Sequence, residues 1–246
     1  MKLTPFILIL LFYHQWLLAA EPVAIISKLR GKVKHKLVSE NEYRDNAHLN
    51  ARILSDSQIK IKKGAFSRVV YLDDGSAISM YQNTEVKVQG TIDNRMILKQ
   101  VDLIKGIIRV NVTNQKSGEF ILATPSSELK CKQCNFWVIS DELKGDQFIH
   151  ESGYAELFNA SINSTVELIS DSTIISKENI EFKLIKTPIT DAKFLESLML
   201  DAGDKTFEYK KEQHQEQSVE TITNIVVIKL KNTANIEREI VVTYIQ

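Results

Sequence analysis

Two cysteines, Cys131 and Cys134, are the residues whose type and spacing could most directly do chemistry. They are the only cysteines of the chain and stand in "CKQC", just ahead of the apolar run "NFWVI". A pair with this spacing can exchange disulfides, supply two of the four ligands of a zinc ion, or form a short structural disulfide. These alternatives require different backbones, so the motif alone leaves them open.

The surroundings of the pair favour a structural disulfide or inert thiols over redox or metal chemistry. A reactive thiolate usually lies at a helix N-terminus, whereas "NFWVIS" at 135–140 has a strand pattern. On an extended strand the two Cα atoms would lie about 10 Å apart, and a disulfide requires less than about 7 Å, so the bridge needs a turn in the backbone. Zinc would need two further ligands, and no close ligand spacing is found among His14, His35, His48, His150 and His214.

No other motif indicates catalysis. The sequence has no Gly-rich phosphate loop, GxSxG elbow or HExxH helix. Asp73 and Asp74 are adjacent in "DDGS", a pattern more typical of a turn than of a metal or acid pair. For Trp137 and Tyr154, which stand beside alternating apolar residues, core packing is favoured over a ligand surface. We therefore expect no enzyme activity, no catalytic residues, no metal site and no cofactor.

The composition is that of an ordinary globular protein with one or two domains. Of 246 residues, 43% are hydrophobic and 25% are charged. Lys plus Arg and Asp plus Glu both total 31. This balance argues against nucleic acid or an acidic membrane surface as a partner held by bulk charge.

The N-terminus has the pattern of an export signal. Lys2 is followed by the apolar run "FILILLF" at 6–12 and by "WLLAA", which ends in small residues. We expect a signal peptide at 1–20, cleaved near Ala20, and a periplasmic or secreted protein without a transmembrane span after signal removal.

The sequence around the cysteines predicts β-strands. Alternation with a period of two dominates from about 23 to 186, as in "GIIRVNV" at 106–112 and "NIEFKLI" at 179–185. Turn signals occur at "DDGS", "KGD" (144–146) and "ESG" (151–153). The sequence therefore predicts an all-β domain at 21–186, an antiparallel two-sheet sandwich or β-roll of many short strands.

The composition changes after Pro188. Phe194, Leu195, Leu198 and Leu200 recur at helix-like intervals, and a polar stretch follows, so 187–220 is predicted to be a helical and polar linker. Two strong strand runs predict a β-hairpin at 221–246. Because an isolated hairpin is marginal in water, we expect it to dock, either on its own chain or on another.

The order of motifs from Gly31 to about Asn159 resembles the FecR domain, an extracytoplasmic β-rich module. The resemblance depends on "GKV" (31–33), "LSDSQIKIKKGAFSRVVYLDDGSAISMYQNTEVKV" (54–88), "LIKGIIRVNV" (103–112), "FILATPSSELKCKQCNFWVI" (120–139) and "ESGYAEL" (151–157). It implies turn roles for the residues of the family motifs, which are Asp74, Gly75, Ser76, Gly106, Thr124 and Pro125.

The resemblance also implies a function. The best-studied members sense the occupancy of an outer-membrane receptor and pass the signal across the inner membrane. Here the domain follows the signal pattern directly, so the expected form is an exported FecR-like protein lacking the cytoplasmic anti-sigma segment. We expect a non-enzymatic module that binds an unidentified protein partner in the cell envelope, in a signalling role. The alternatives are a module that binds cell-wall glycan or another carbohydrate and, third, a CxxC thiol-redox or metal protein.

The resemblance also bears on the cysteines. Members of the family commonly have an Arg-Gly-Thr turn after the "TP" segment, and in this chain that turn falls on Lys132, Gln133 and Cys134. The glycine is lost, and the cysteines flank the altered pair. The family pattern thus implies a turn here, and we interpret Cys131–Cys134 as a disulfide that replaces a glycine-dependent turn.

Overall fold

The computed structural model describes residues 21–45, 47–116 and 118–203, together with the backbone of two strands at 223–231 and 237–245. The predicted signal peptide at 1–20 and the polar part of the predicted linker at 204–220 lie outside the described residues. The described residues fall into two compact units, of which the first ends at residue 203 and the second consists of the two C-terminal strands.

The elements follow one another in a long series of strands with one helix near the end of the first unit. They are β1 (Pro22–Arg30), β2 (Val33–Lys36), β3 (Arg52–Leu54), β4 (Ser57–Ile61), β5 (Phe66–Tyr71), β6 (Ala77–Met80), β7 (Glu85–Asp93), β8 (Met96–Val112), β9 (Phe120–Ala123), β10 (Glu128–Asp141), β11 (Gly145–Asn159), β12 (Ser164–Glu167), β13 (Ser172–Lys177), β14 (Ile180–Lys186), α1 (Ile189–Ala202), β15 (Thr223–Lys231) and β16 (Glu237–Ile245).

The strands of the first unit form one hydrogen-bonded sheet of 14 strands, so the predicted all-β class is confirmed. The pairings are antiparallel except that of β8 with β9. Many of the strands are short, as predicted, but β8, β10 and β11 are longer, with 17, 14 and 15 residues. These three strands were hard to foresee because each one bends, and a bend interrupts the alternating pattern that marks a strand in the sequence.

Each long strand changes its neighbours at its bend. β8 pairs with β7 up to Lys105 and with β6 from Ile108 onward. β10 pairs with β9 at 128–131 and with β8 at 134–140. β11 pairs with β13 before its bend and with β12 after it. The sheet thus folds into two layers that share three strands, which is how strands turn corners between packed sheets.

The main core lies between the two layers. It contains Ile108 and Val110 of β8, Phe136 of β10 and Phe148 of β11, all of which are fully or almost fully buried. The alternation in "GIIRVNV" therefore predicts the inward face of β8 correctly. Burial of such apolar side chains is the main stabilising contribution in a fold of this kind.

A second, smaller core lies on the outer surface of one layer. Phe66, Tyr81 and Trp137 form an aromatic cluster there, and helix α1 covers it with Leu195 and Leu198. Tyr81 stacks on Trp137 with ring centroids 5.1 Å apart. Two of the four apolar residues that predict the helix are thus buried, whereas the remaining two, Phe194 and Leu200, are exposed. No helix among the described residues is long and apolar enough to cross a membrane.

Helix α1 has clear local boundaries. It begins after Pro188, whose extended backbone cannot continue a helix toward the N-terminus. It ends at Gly203, which adopts the left-handed conformation (φ 64°) and donates its N–H to the carbonyls of Met199 and Leu200. The predicted stop at Gly203 therefore has a direct structural reason.

The second unit consists of β15 and β16, which pair antiparallel from Thr223 with Ile245 to Lys231 with Glu237. The two strand runs of the predicted hairpin thus pair as expected. The residues that connect them lie outside the described part of the chain.

Candidate functional site

The "DDGS" turn is held by a buried polar network around Lys99. The Lys99 Nζ donates to Asp73 Oδ2 at 2.7 Å, to Gln115 Oε1 at 2.9 Å and to Ile97 O at 3.0 Å. Its second carboxylate neighbour is Asp74, whose Oδ2 lies 3.1 Å away. The lysine side chain is 1% exposed, so its three protons are used inside the protein. This cluster stabilises the turn and leaves no room for a ligand.

Asp74 acts within this turn as a hydrogen-bond acceptor. The backbone N–H of Ser76 donates to Asp74 Oδ1 at 2.8 Å, which is an Asx-turn. Although burial would raise the pKa of the Asp74 carboxyl, the hydrogen bonds from Ser76, Lys99 and Gln115 hold it below the ordinary value. Gly75 has φ 79°, the left-handed conformation that this turn requires. The sequence-predicted residues Asp74, Gly75 and Ser76 are thus together, in a structural role.

Gly106 lies at the bend of β8. Its φ is 104°, and a Cβ at this position would lie 2.5 Å from the Cα and the Oγ1 of Thr84. Thr84 Oγ1 in turn accepts the N–H of Ile107 at 2.9 Å. Glycine is therefore required both by the backbone conformation and by the close approach of a neighbouring chain segment.

Thr124 and Pro125 form the turn between β9 and β10. The Thr124 N–H donates to Ser127 O at 2.8 Å, and the Ser127 N–H donates back to Thr124 Oγ1 at 3.1 Å. Asp146 closes this turn, because its Oδ2 accepts the N–H of Ser126 at 2.9 Å. These residues position the start of β10. Their contacts are local except for that with Asp146, which lies 20 positions from Ser126.

The two cysteines lie at the bend of β10 and at disulfide-bond distance. Their Sγ atoms are 2.10 Å apart and their Cα atoms 6.3 Å apart. The pairing with β11 shifts between Cys131 and Gln133, so that Lys132 is an extra residue, a β-bulge. The backbone irregularity that brings the cysteines together is thus a bulge inside a continuous strand and differs from the separate turn that the family pattern implies.

The burial of the sulfur-bearing residues bears on the redox alternative. Cys131 is 2% exposed and Cys134 is 1% exposed. Thiol–disulfide exchange requires access of an attacking thiolate to a sulfur atom. Lys130 and Lys132 flank Cys131, so it is burial and the absence of a helix N-terminus that argue against a reactive cysteine. The pair instead lies in a strand whose inner face joins the main core. Within the described residues, no group of three or more His, Cys, Asp or Glu could hold a metal ion.

Gly153 of β11 lies directly opposite the disulfide bend. It pairs with Cys134 and has φ 92°. A Cβ at this position would lie 2.7 Å from the Cα of Cys134 and would overlap the carbonyl oxygen of Gln133. The "ESG" signal at 151–153 predicts a turn between two strands, but this prediction is wrong, because β11 runs through it. Instead of a turn, the strand has a bulge next to this glycine, and Glu151 is the extra residue of the bulge.

A groove of about 970 Å³ opens beside these two bends. It is lined by the disulfide bend of β10, the C-terminal end of β8 and the bulged middle of β11. The groove is therefore built by the irregular backbone at Lys132 and at Gly153. We call it the disulfide groove. It is the candidate site of the first unit because it combines concave shape with several polar side chains.

Three neutral polar side chains form a ladder across this groove. Asn111 Nδ2 donates to Asn135 Oδ1 at 2.5 Å, and Asn135 Nδ2 donates to Ser152 Oγ at 2.8 Å. They lie side by side because Asn135 pairs with Asn111 on β8 and with Ser152 on β11. The ladder thus depends on the register of three strands.

Tyr154 lies next to the ladder and is 54% exposed. Core packing, the favoured interpretation of its sequence context, is therefore wrong for this residue, because the bulge at 151–153 turns the following side chain outward. Its hydroxyl lies 2.6 Å from Glu156 Oε1 and 3.1 Å from Glu167 Oε1. The hydrogen bond with Glu156 raises the pKa of the tyrosine hydroxyl above its ordinary value, so the ring stays neutral.

A partly buried ion pair lies beside the aromatic cluster under α1. Arg109 Nη2 donates to Glu151 Oε2 at 2.9 Å, and Trp137 Nε1 donates to Glu151 Oε1 at 2.9 Å. The guanidinium lies 5.8 Å from the centroid of the Trp137 ring. Glu151 reaches both partners because it is the extra residue of the bulge. Core packing is thus correct for Trp137, which is 2% exposed.

A different kind of surface lies at the end of the sheet. β14 pairs with β13, and among the described strands it has no neighbour on its other side. Ile180 is 55% exposed and Leu184 is 50% exposed, whereas Phe182 packs partly against the main core. The alternation at 179–185 predicts the strand correctly, but not that two of its three apolar residues face solvent. Exposed edges of this kind are templates for strand pairing.

Sequence reasoning missed the ladder and the ion pair. The signal for Arg109 was present, since alternation in β8 places it opposite the inward residues, but nothing in the sequence shows that a bulge brings Glu151 to it. Asn111, Asn135 and Ser152 are spread over 42 positions and meet only through pairing registers.

Comparisons with known proteins identify part of the chain. Residues 55–148 match the family described as FecR protein. The resemblance to the FecR domain is therefore confirmed over this range, which includes all six predicted turn residues and both cysteines. The quoted motifs at 31–33 and 151–157 lie outside it. A comparison with curated proteins finds no match.

Two solved structures resemble the chain. Each is a crystal structure described as that of a "putative anti-sigma factor" from Parabacteroides distasonis ATCC 8503, with 19% sequence identity and a TM-score of 0.47. The similarity covers 55% of this chain and 62% of each of those chains, so this chain spans less than two thirds of their length.

Proposed function

We propose that this chain, which matches the FecR family over residues 55–148, is a non-enzymatic module of the cell envelope that binds a protein partner in a signalling role. The family match supports the signalling role. The signal-like pattern at 1–20 supports export to the periplasm or beyond. The disulfide pairing of Cys131 with Cys134 also suits an oxidising compartment.

The observation that carries the protein-binding proposal is the exposed apolar edge of β14. An edge strand can accept an extended segment of another protein, since its unpaired N–H and C=O groups supply a ready ladder. Most natural edges are protected by charges, proline or short length. β14 has seven residues and carries the exposed charges of Glu181, Lys183 and Lys186, but it also presents Ile180 and Leu184 to solvent. The partner is therefore expected to offer an extended segment with apolar side chains at alternate positions.

The hydrogen-bond pattern tells which groups of β14 are available. The Thr187 N–H donates to Asp171 O at 3.0 Å, just beyond the register pair Lys186 with Ser172. Because donors alternate along an antiparallel ladder, the N–H groups of Leu184 and Lys186 point away from β13. Proline at position 184 would thus remove a donor of the free edge and leave the pairing with β13 intact.

Site-specific photo-crosslinking tests this proposal in cells that export the protein. A photoreactive residue at the exposed position Lys183 should give a specific adduct with another protein. The matched control carries the same residue at Leu143, which is 89% exposed in the turn between β10 and β11. Adding Leu184→Pro should abolish the Lys183 adduct, whereas Leu184→Ala, which keeps the N–H, should only weaken it. An adduct that is equally strong with Leu184→Pro would exclude strand addition at β14.

Export is tested separately by intact mass spectrometry of the native protein. The expected mass begins at Glu21, with both cysteines alkylated only after reduction. Retention of residues 1–20 would contradict cleavage near Ala20. Alkylation before reduction would contradict a bridged pair.

A further inference from the structure

We infer that the disulfide groove is a binding site for a neutral carbohydrate chain. This site is distinct from the β14 edge, and the inference does not depend on the proposed protein partner. The groove is lined by β8, β10 and β11, and β13 separates these strands from β14 in the strand order.

The side chains of the ladder have the hydrogen-bonding groups that a sugar requires. Asn111, Asn135 and Ser152 are neutral groups that both donate and accept hydrogen bonds, as sugar hydroxyls do. Each amide nitrogen carries a second proton that the ladder bonds do not use, and the Ser152 hydroxyl accepts from Asn135 and can donate its own proton. A row of such groups along one groove matches a row of hydroxyl or acetamido groups along a glycan.

The exposed ring of Tyr154 supplies the second argument. A pyranose presents C–H groups on one face, and an exposed aromatic ring is a suitable platform for that face because it combines apolar area with low conformational entropy. The hydroxyl of Tyr154 is held between Glu156 and Glu167, so the ring has a fixed position beside the ladder.

The charge of the groove excludes a strongly ionic ligand. Two lysines, Lys130 and Lys132, and two glutamates, Glu119 and Glu156, line it, so their formal charges cancel. Lys130 is also paired with Glu128 at 2.9 Å. A phosphate or a polyanion would meet as many acidic as basic groups.

The strand pairing argues against an extended peptide. At the groove, Cys134 pairs with Val112 on one side and with Gly153 on the other. The Gln115 N–H donates to Lys132 O at 2.9 Å, so the bulged residue is also bonded. The backbone of β10 in the groove is thus paired on both sides, so a peptide cannot add a strand to β10. Recognition over β10 occurs through side chains.

The backbone around the groove is constrained at two bends, which favours a weak polar ligand. The Cys131–Cys134 pair closes one bend and the close contact at Gly153 fixes the other. A preformed site loses less conformational entropy on binding, and this matters most when each contact contributes little.

Titration of the intact protein with chitotetraose, an uncharged chain of four N-acetylglucosamine units, tests the inference. Cellotetraose and maltotetraose are titrated in parallel, and binding is followed by calorimetry and by NMR shifts. We expect saturable binding of at least one of the three, with shifts confined to Asn111, Asn135, Ser152 and Tyr154. Asn135→Ala and Tyr154→Ala should each weaken it roughly tenfold, the equivalent of one good contact.

Matched variants separate stacking from other effects. Tyr154→Phe keeps the ring and should retain the affinity to within about threefold, since its hydroxyl bonds to the protein. Phe194→Ala removes an aromatic ring that is 45% exposed on α1 and should change nothing. Leu184→Pro should also leave glycan binding unchanged, so failure here is distinguishable from failure of the β14 proposal.

Three results would overturn the inference. One is the absence of saturable binding to all three oligosaccharides at millimolar concentration. Another is binding that survives both Asn135→Ala and Tyr154→Ala. The third is an equal loss with Phe194→Ala, which would place the contact on the helix.

Discussion

Two polar clusters of this fold differ in their exposure to solvent. The network of the "DDGS" turn is closed: Lys99 and Asp73 have side chains 1% and 3% exposed, and the protons of the lysine are used within the protein. The ladder of the disulfide groove is open, with Ser152 and Tyr154 exposed beside a space of about 970 Å³. In this chain the polar groups that stabilise the turn are buried and hydrogen-bonded to one another, whereas those of the groove are accessible to a ligand.

The two clusters also differ in their position relative to the range that matches the FecR family. The turn network lies wholly inside the range that matches the FecR family, whereas the groove takes Ser152, Gly153 and Tyr154 from outside it. The matched motifs therefore build a scaffold. The surface on which this chain can recognise a ligand depends on local departures from regular strands.

The largest expected effect is loss of the buried cation. Lys99→Met would leave Asp73 and Asp74 without their charged partner and should lower the free energy of unfolding by about 3–5 kcal/mol. Urea denaturation at neutral pH measures the loss. The control is Lys132→Met in the open groove, where an exposed lysine should change the free energy by no more than about 0.5 kcal/mol. Equal losses would remove the distinction between the closed and the open cluster.

A second pair of variants compares a glycine from each region. Gly153→Ala combines a left-handed backbone with overlap against β10, so we expect a loss of about 3 kcal/mol. Gly75→Ala also has positive φ, but no atom lies within 4 Å of the added Cβ, and about 1 kcal/mol is expected. Thermal unfolding of both variants measures the difference. If Gly153→Ala were as mild as Gly75→Ala, the bend of β11 would not be tightly packed.

The disulfide should contribute less to stability than Lys99 or Gly153 does. Replacing both cysteines, Cys131→Ser with Cys134→Ser, should lower the free energy of unfolding by roughly 2 kcal/mol, because the closed loop has only four residues. Denaturation of the wild type with and without reductant measures the same contribution without a substitution. Reductant should have no effect on the double variant. An unchanged midpoint for the reduced wild type would contradict a stabilising role for the bridge.

The smallest expected effect is on the acid limb of stability. The pKa of Asp74 is lowered in the folded protein from an ordinary value of 3.8. Its contribution is therefore present in full above about pH 4 and is lost as the pH falls through the folded-state pKa. Stability measured from pH 5 to pH 2.5 should fall less steeply in Asp74→Asn than in the wild type. Parallel curves would show that Asp74 contributes nothing through its charge.

The sequence was sufficient for features that depend on neighbouring residues. The all-β class, the "DDGS" turn, the stop of α1 at Gly203 and the inward face of β8 all follow from alternation or turn chemistry within a few positions. Gly106, for which the resemblance implies a turn, lies at the bend inside β8, where it approaches Thr84 closely.

Features that depend on strand register could not be predicted. The bulges at Lys132 and Glu151 arise from pairing between β10 and β11, and they decide that "ESG" is not a turn and that Tyr154 faces solvent. The burial of Arg109 depends on the same register, because its partner Glu151 is the extra residue of a bulge. Such contacts join positions far apart in the chain, so composition and periodicity do not predict them.

The central claim is that the closed cluster stabilises and the open cluster binds. It is tested most directly by measuring, for Asp74→Asn and Asn135→Ala in parallel, the melting temperature and the affinity for the tetrasaccharide that binds the wild type most tightly. The account predicts that Asp74→Asn lowers the melting temperature and keeps the affinity, and that Asn135→Ala keeps the melting temperature and weakens binding roughly tenfold. A destabilised Asn135→Ala variant with unchanged affinity would contradict it.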